Sequence, residues 1–209
     1  MSQGMLGNIP LSKVQGPRND LEKKLAGPRG TMCLRRFNRF LRGEIPLGVP
    51  NTFEVTTNGL TGEQHIEALE SEGDRVIGEA RASLCGRDFV ATQGETYKLT
   101  LVRGHEFEDE ERNNRNIRAK AAARGYRKPP FELAPYVQAM FAPEDLQWSG
   151  LSYLVTMHQP VTDSDGDLIL LGFDPRGDFP SLVAYGGDRD DEWDRDAGLL
   201  FLDPKSISF

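Results

Sequence analysis

The segment GLSYLVTMHQPVTDSDGDLILLGFDPRGDFPSLVAYGG, Gly150–Gly187, alternates apolar runs with clusters of Asp, Gly and Pro. Short apolar runs bounded by such residues read as β-strands joined by turns. LSYLVTMHQPV is one strand and DSDGD is its turn, with Asp165-Gly166 as a two-residue hairpin tip. LILLGFD is the second strand, RGDFPS the next turn, and LVAYGG the third strand. Beyond the acidic stretch Asp188–Asp196, GLLFLD supplies a fourth. Strands in series with connections this short predict a C-terminal antiparallel β-meander.

Upstream of the meander the periodicity changes to helical. Phe131–Phe141 places Leu133, Val137, Met140 and Phe141 on one face, and Pro143 opens a further turn through Gln147. Asp109–Ala123 runs from acidic to basic, which suits the helix dipole; its apolar stripe is thin, mainly Ile117 and alanines. Pro129-Pro130 blocks continuation. Further back, TFEVTT at 52–57 alternates like a strand. Thr61 and Gln64 have capping-box spacing and open a helix that buries Ile66, Leu69 and His65. Asp74 caps a second helix with Val76, Ile77, Ala80 and Leu84 inward, and 96–102 is a strand. The expected class is therefore α+β: an N-terminal helical arm, a mixed strand–helix–helix–strand unit, central helices and the meander.

Residues 1–43 read as a basic arm, and residues 44–209 as a single α+β domain with a sub-boundary near 104–110. The first thirty residues are rich in Gly and Pro, with a short helix at 19–26. TMCLRRFNRFLRG, 31–43, has amphipathic spacing: Cys33, Leu34, Phe37, Phe40 and Leu41 share one face, and Arg35, Arg36, Arg39 and Arg42 cover the rest.

The net charge of −7 is unevenly laid out. Residues 1–43 hold nine Lys/Arg against two Asp/Glu, whereas residues 161–209 hold twelve Asp/Glu against four Lys/Arg. Such asymmetry points to association surfaces, not to chemistry. Cys33 and Cys85 form neither a disulfide framework nor a zinc spacing and are expected as reduced core thiols. The start lacks the apolar stretch of a secretory leader, and no stretch reaches membrane-span length, so the expected compartment is the cytoplasm with no membrane partner.

Chemical motifs are few. Asp163, Asp165 and Asp167 resemble the head of a calcium loop, but the sixth position is Leu168 instead of Gly and the twelfth is Asp174 instead of Glu. A hairpin turn is the simpler reading, and no cofactor is expected beyond a divalent cation at these three carboxylates. His65, His105 and His158 have no zinc-helix spacing. His158, beside the Asp-rich turn, is the candidate acid–base residue of a metal-assisted hydrolase. No phosphate loop and no nucleophile elbow occur. The basic runs Arg35–Arg42 and Arg112–Lys128, with Arg115 and Arg118 in the second, are the candidate nucleic-acid contacts. Arg176-Gly177-Asp178 reads as a turn.

FVATQGETYKL (89–99), NIRAKAAARGYRKPPFELAPYV (116–137) and GLSYLVTMHQPVTDSDGD (150–167) resemble a group of uncharacterised bacterial proteins of unknown function, over roughly residues 90–205. The resemblance implies a bacterial origin and one continuous unit from about residue 52, and it carries over no functional residue. Absence of a convergent catalytic set favours a non-enzymatic interaction protein with a protein partner. The alternatives are nucleic-acid binding through 35–42 and 112–128, and the hydrolase centred on His158. Oligomeric state is not encoded in any of these patterns.

Overall fold

The computed structural model describes residues 48–204 without a break, and in the N-terminal region residues 5–6, 9–27, 30, 34, 37–38 and 41. The chain divides into two compact units, Met1–Pro46 and Leu47–Phe209.

In the first unit, β1 (Met5–Leu6) and β2 (Ile9–Pro10) form an antiparallel pair. The helix α1 (Leu11–Leu25) begins well before the expected 19–26 and runs through Pro17. Proline lacks the N–H for one intrahelical bond, so a sequence reading stops there although the helix does not. Arg18 pairs with Glu22 one turn on, at 2.9 Å. Of the expected amphipathic face at 31–43, Leu34 and Leu41 are exposed and Phe37 is half-buried. Cys33 and Phe40, and the candidate residues Arg35, Arg36, Arg39 and Arg42, lie outside the described residues.

The second unit is built on β3 (Thr52–Asn58), β4 (Arg75–Val76), β5 (Gln93–Arg103), β6 (Tyr153–Thr156), β7 (Val161–Thr162), β8 (Leu168–Asp174), β9 (Ser181–Gly186) and β10 (Ala197–Leu202). They form one sheet in the order β3-β5-β10-β6-β8-β9-β4, with β7 on β8. The helices are α2 (Gly62–Ser71), α3 (Gly78–Leu84), α4 (Asn114–Ala123), α5 (Leu133–Met140) and α6 (Pro143–Trp148). The class is α+β, as expected from the sequence.

The antiparallel meander runs β6–β8–β9. The fourth C-terminal strand, β10, does not extend it: it lies parallel to β6 and antiparallel to β5, in the middle of the sheet. All six of its residues are buried, as a strand covered on both faces requires. Residues 187–196 carry the chain from β9 back across the sheet to reach that place.

One face of the sheet is covered by α2, α3, α5 and α6. There Leu99, Leu101, Leu154, Phe173 and Leu200 pack on Leu133, Val137 and Leu146, and Leu171 and Leu182 pack on Ile66, Ala80 and Leu84. The other face carries α4 and the 187–196 segment: Val102, Val155, Leu170 and Leu199 pack on Ile117, Ala121 and Trp193. Glycine permits one close approach in this layer. A Cβ at Gly172 would lie 2.5 Å from the Leu154 carbonyl and 2.8 Å from the Tyr185 ring. Tyr185 instead crosses over Gly172 and stacks on Tyr153 at 5.0 Å.

The capping box at α2 is formed: the Thr61 hydroxyl accepts from Gln64 N, and the Gln64 side chain accepts from Thr61 N. Asp74 does not cap α3. Residues 75–76 instead pair with β9 as the short β4, Ile77 takes the N-cap position, and its side chain is 48% exposed. Helix spacing pointed Ile77 inward, but the strand turns it out. Cys85 is exposed, in contrast to the expected core thiol, because it follows the last buried residue of α3, Leu84.

Candidate functional site

His158 is fully buried. It sits where the expected first meander strand breaks between β6 and β7, residues 157–160 belonging to neither. Its Nε2 accepts the Leu171 backbone N–H of β8 at 2.9 Å, supplying the acceptor that the broken strand omits. An accepting Nε2 places the ring proton on Nδ1, which donates to the Gln159 carbonyl at 2.7 Å. The guanidinium of Arg118 donates to the Met157 and His158 carbonyls, both at 3.0 Å. The edge of Phe131 closes the ring in at 5.0 Å. Burial, opposed by the Gln159 bond and aided by the nearby Arg118 charge, lowers the His158 pKa to about 4. The imidazole is therefore neutral, with both nitrogens committed to backbone.

The three aspartates lie elsewhere. Leu171 is three residues from Leu168, so the turn at 163–167 is about 10 Å beyond, at about 3.3 Å per residue. The Asp163 carboxylate accepts the N–H groups of Asp165 and Asp167, at 3.0 and 2.9 Å. Asp163 N donates to the Asp167 carbonyl and Gly166 has φ +95°, so the loop is a three-residue hairpin closed on glycine, one residue longer than expected. Asp165 and Asp167 are exposed. The structure does not bring His158 together with Asp163, Asp165 and Asp167, and among the described residues no group of three or more His, Cys, Asp or Glu is placed to hold a metal. The neighbouring cleft, of about 350 Å³, is lined by Glu79, Ser83, Arg87, Val161, Asp163 and Ser164. Glu79 spans it and accepts from the Ser164 hydroxyl at 3.1 Å.

The cations of 112–128 mostly serve the fold. Arg112 is buried, donates to the Gly104 carbonyl at 3.2 Å and pairs with Asp109. Arg115 pairs with Asp190 at 2.7 Å, and Arg124 with Glu106 at 2.9 Å. Lys120 donates to the Glu106 carbonyl at 3.0 Å and lies over Phe107. Arg118 clamps the His158 turn, and Lys128 donates to Gln159. Arg176 of the Arg-Gly-Asp turn is likewise engaged: it grips Asp174 at 2.8 Å and lies 4.5 Å over the Tyr153 ring. Burial opposes the Asp174 charge, but the bonds from Arg176 and Tyr185 outweigh it and hold its pKa below the usual carboxylate range. Burial pushes Tyr153 up to about 12, and the Asp194 charge adds to this. Tyr185 is driven up in the same way beside Asp174. Both phenols stay neutral and act as hydrogen-bonding struts.

Two buried polar arrangements stand apart from these candidates; the burial of His65 was expected from its helix spacing, whereas the partners of Glu132 were not legible in the sequence. Glu132 accepts from Thr92 N at 2.8 Å and from the Thr92 hydroxyl at 2.6 Å. With that proton committed, the 2.9 Å contact between Thr57 and Thr92 has Thr57 as donor. The second is His65, 4% exposed, whose Nε2 has no hydrogen-bond partner among the described residues. Tyr136 packs edge-on against it at 4.4 Å, and burial lowers its pKa to about 4.

Residues 112–115, which directly follow 104–111, are tied to 189–193 by backbone bonds: Asn114 N to the Asp191 carbonyl at 3.0 Å, Arg115 N to the Arg189 carbonyl at 2.9 Å, and Trp193 N to the Arg112 carbonyl at 2.9 Å. Asn113 and Glu192 form a β-bridge. The buried Trp193 indole donates to Asn114 at 2.9 Å and anchors the loop. On the resulting rim Glu108, Glu110, Glu111, Asp188 and Glu192 are exposed and have no ion pair among the described residues. No helix among the described residues is long and apolar enough to cross a membrane. Comparison with known proteins finds no matching family model, curated protein or solved structure.

Proposed function

We propose that the chain is a non-catalytic binding protein of the cytoplasm whose contact surface is the acidic rim of 104–111 and 188–196, and whose partner presents a basic protein segment. The observation that carries this reading is the set of five exposed carboxylates that form no ion pair among the described residues, Glu108, Glu110, Glu111, Asp188 and Glu192. They stand on backbone cross-linked by the Asn113–Glu192 bridge and anchored by Trp193. A surface of predominantly negative charge, here with Arg189 and Arg195 as its exposed cations, raises the encounter rate with basic partners and disfavours acidic ones. The side chains that suggested catalysis or phosphate binding are instead occupied in holding backbone: His158 on Leu171, and Arg118 on residues 157 and 158.

The test is fluorescence anisotropy with a labelled fifteen-residue lysine-rich peptide. Binding should weaken about tenfold in the variant Glu108→Lys, Glu110→Lys, Glu111→Lys, and should fall as salt rises, since exposed charges are screened over about 10 Å at 0.1 M. An affinity unchanged by the triple reversal, or equal for a glutamate-rich peptide, would overturn the reading.

A further inference from the structure

An open β-sheet ends in two edges, and an edge left unpaired is a template for another strand. One edge here is β4, which is two residues long; its Val76 carbonyl accepts from Arg81 Nε at 3.3 Å. The other edge is β3, seven residues long and paired only with β5. Leu101 N donates to the Asn51 carbonyl at 2.8 Å, and Asp203 N to the Lys98 carbonyl at 2.8 Å. Antiparallel ladders alternate, so the odd residues Asn51, Phe53 and Val55 bond to β5. The N–H and C=O groups of Thr52, Glu54 and Thr56 then point to the free edge, and no partner meets them among the described residues.

The side chains along this edge are two-sided. Thr52, Glu54 and Thr56 are exposed on one face. On the other, Phe53 is half-buried and packs edge-on against Phe141 at 5.0 Å. Half-buried Tyr136 closes the far end, donating to the Asn58 side chain at 2.7 Å and accepting from Asn58 N at 3.0 Å. Glu54 has no ion pair among the described residues: Lys98, its register partner, bridges to Asp203 at 3.5 Å instead.

We propose that β3 is a strand-addition site for an extended segment of a partner protein, with a lysine or arginine opposite Glu54 and apolar residues on either side of it. The added strand takes the three open N–H and C=O pairs of Thr52, Glu54 and Thr56. Its basic residue shares the face of Glu54, and the flanking residues fall on the opposite face beside Phe53 and Tyr136. A second copy is the poorer occupant. Pairing two copies through the three open residues, about their middle one, sets Glu54 opposite Glu54, and like charges directly opposite are destabilising. Two copies also each bring a net charge of −7. The inference rests on the reading of the chain as a binding protein and names a second place of contact.

The test is an amide-resolved NMR titration of the full chain with the peptide Ac-Lys-Val-Thr-Val-Lys-Val-Thr-Lys-NH2, and with the same peptide N-methylated at its central lysine. The expected result is that the largest shifts fall on Thr52, Glu54 and Thr56. N-methylation should weaken binding at least tenfold, and Glu54→Lys about fivefold. Absence of shifts on β3 at millimolar peptide, or equal binding of the N-methylated peptide, overturns the proposal. Shifts confined to residues 106–111 and 188–196 overturn it while leaving the acidic rim as the binding surface. Shifts on β3 that persist when the rim is charge-reversed support the edge as a site independent of the rim. A concentration-dependent dimer in sedimentation with protected β3 amides would give the edge to a second copy and overturn the choice of occupant.

Discussion

His158→Phe separates the structural role of this histidine from a catalytic one. Phenylalanine keeps the ring and its contact with Phe131 but removes both nitrogens. The Leu171 N–H, now satisfied by Nε2 at 2.9 Å, would be buried without an acceptor, at about 1–3 kcal/mol. Loss of the Nδ1 donation to Gln159 removes about 1 kcal/mol more. The variant should therefore be less stable than wild type by about 2–4 kcal/mol at pH 7. The pH dependence sharpens the test. The folded pKa of about 4 lies below the ordinary 6.5, so between these values the unfolded chain binds a proton that the folded chain excludes. Stability from this group is complete above pH 6.5 and is lost as pH falls toward 4, about 3 kcal/mol in all at about 1.36 kcal/mol per pH unit. The phenylalanine variant lacks this loss, so the two stabilities converge on acidification. Urea unfolding at pH 7 and pH 4.5 measures both. A gap below about 0.5 kcal/mol at pH 7, or a gap equal at both pH values, would refute the reasoning.

His65→Phe should have the opposite sign, leaving stability unchanged or raising it, because it deletes a buried nitrogen without a partner and keeps the ring against Tyr136; thermal melts read this directly. Gly172→Ala should cost about 1–3 kcal/mol in urea unfolding, since its Cβ would press on the Leu154 carbonyl and the Tyr185 ring, and stability within about 0.5 kcal/mol of wild type would show that this stack gives way. Hydrogen exchange should alternate along β3, with Thr52, Glu54 and Thr56 fast and Phe53 and Val55 slow; uniform protection would mean that the edge is already covered.

Local patterns were legible where the physics is local. The Thr61–Gln64 capping box, Pro143 at the start of α6 and the apolar spacing of Leu133 and Val137 each named an element that the structure contains. The class followed because helices and strands are grouped along the chain. Strand order was not legible. GLLFLD states that a strand exists and is buried, but whether it lies beside β9 or between β5 and β6 depends on contacts a hundred residues apart, such as Leu200 with Leu101. Its unbroken apolar run was the one local sign of a central position. Ile77 misled for a related reason: helical spacing cannot see that β9 captures Arg75 and Val76 as a strand.

Functional candidates failed to converge in a similar way. Proximity of His158 to the Asp turn in sequence suggested a shared site, but the strand between them is extended and separates them by its length. The basic run of 112–128 looked like a phosphate surface because sequence counts charges and not their partners; Arg112, Arg115, Arg118 and Arg124 each meet an acceptor supplied by a distant segment or an adjoining turn. The acidic rim was legible as a charge excess at 188–196, but not as a joint surface with 104–111. That joining depends on Asn114 and Trp193, which carry no charge signal.

The most direct test of a binding role centred on the acidic rim is an amide-resolved NMR titration of the whole chain with the fifteen-residue lysine-rich peptide, at low and high salt. The account predicts saturable shifts on the amides of Glu108–Glu111 and Asp188–Glu192 that fade as salt rises. Shifts centred on the cleft between Glu79–Asp88 and Val161–Ser164, or no shifts at millimolar peptide, would contradict it.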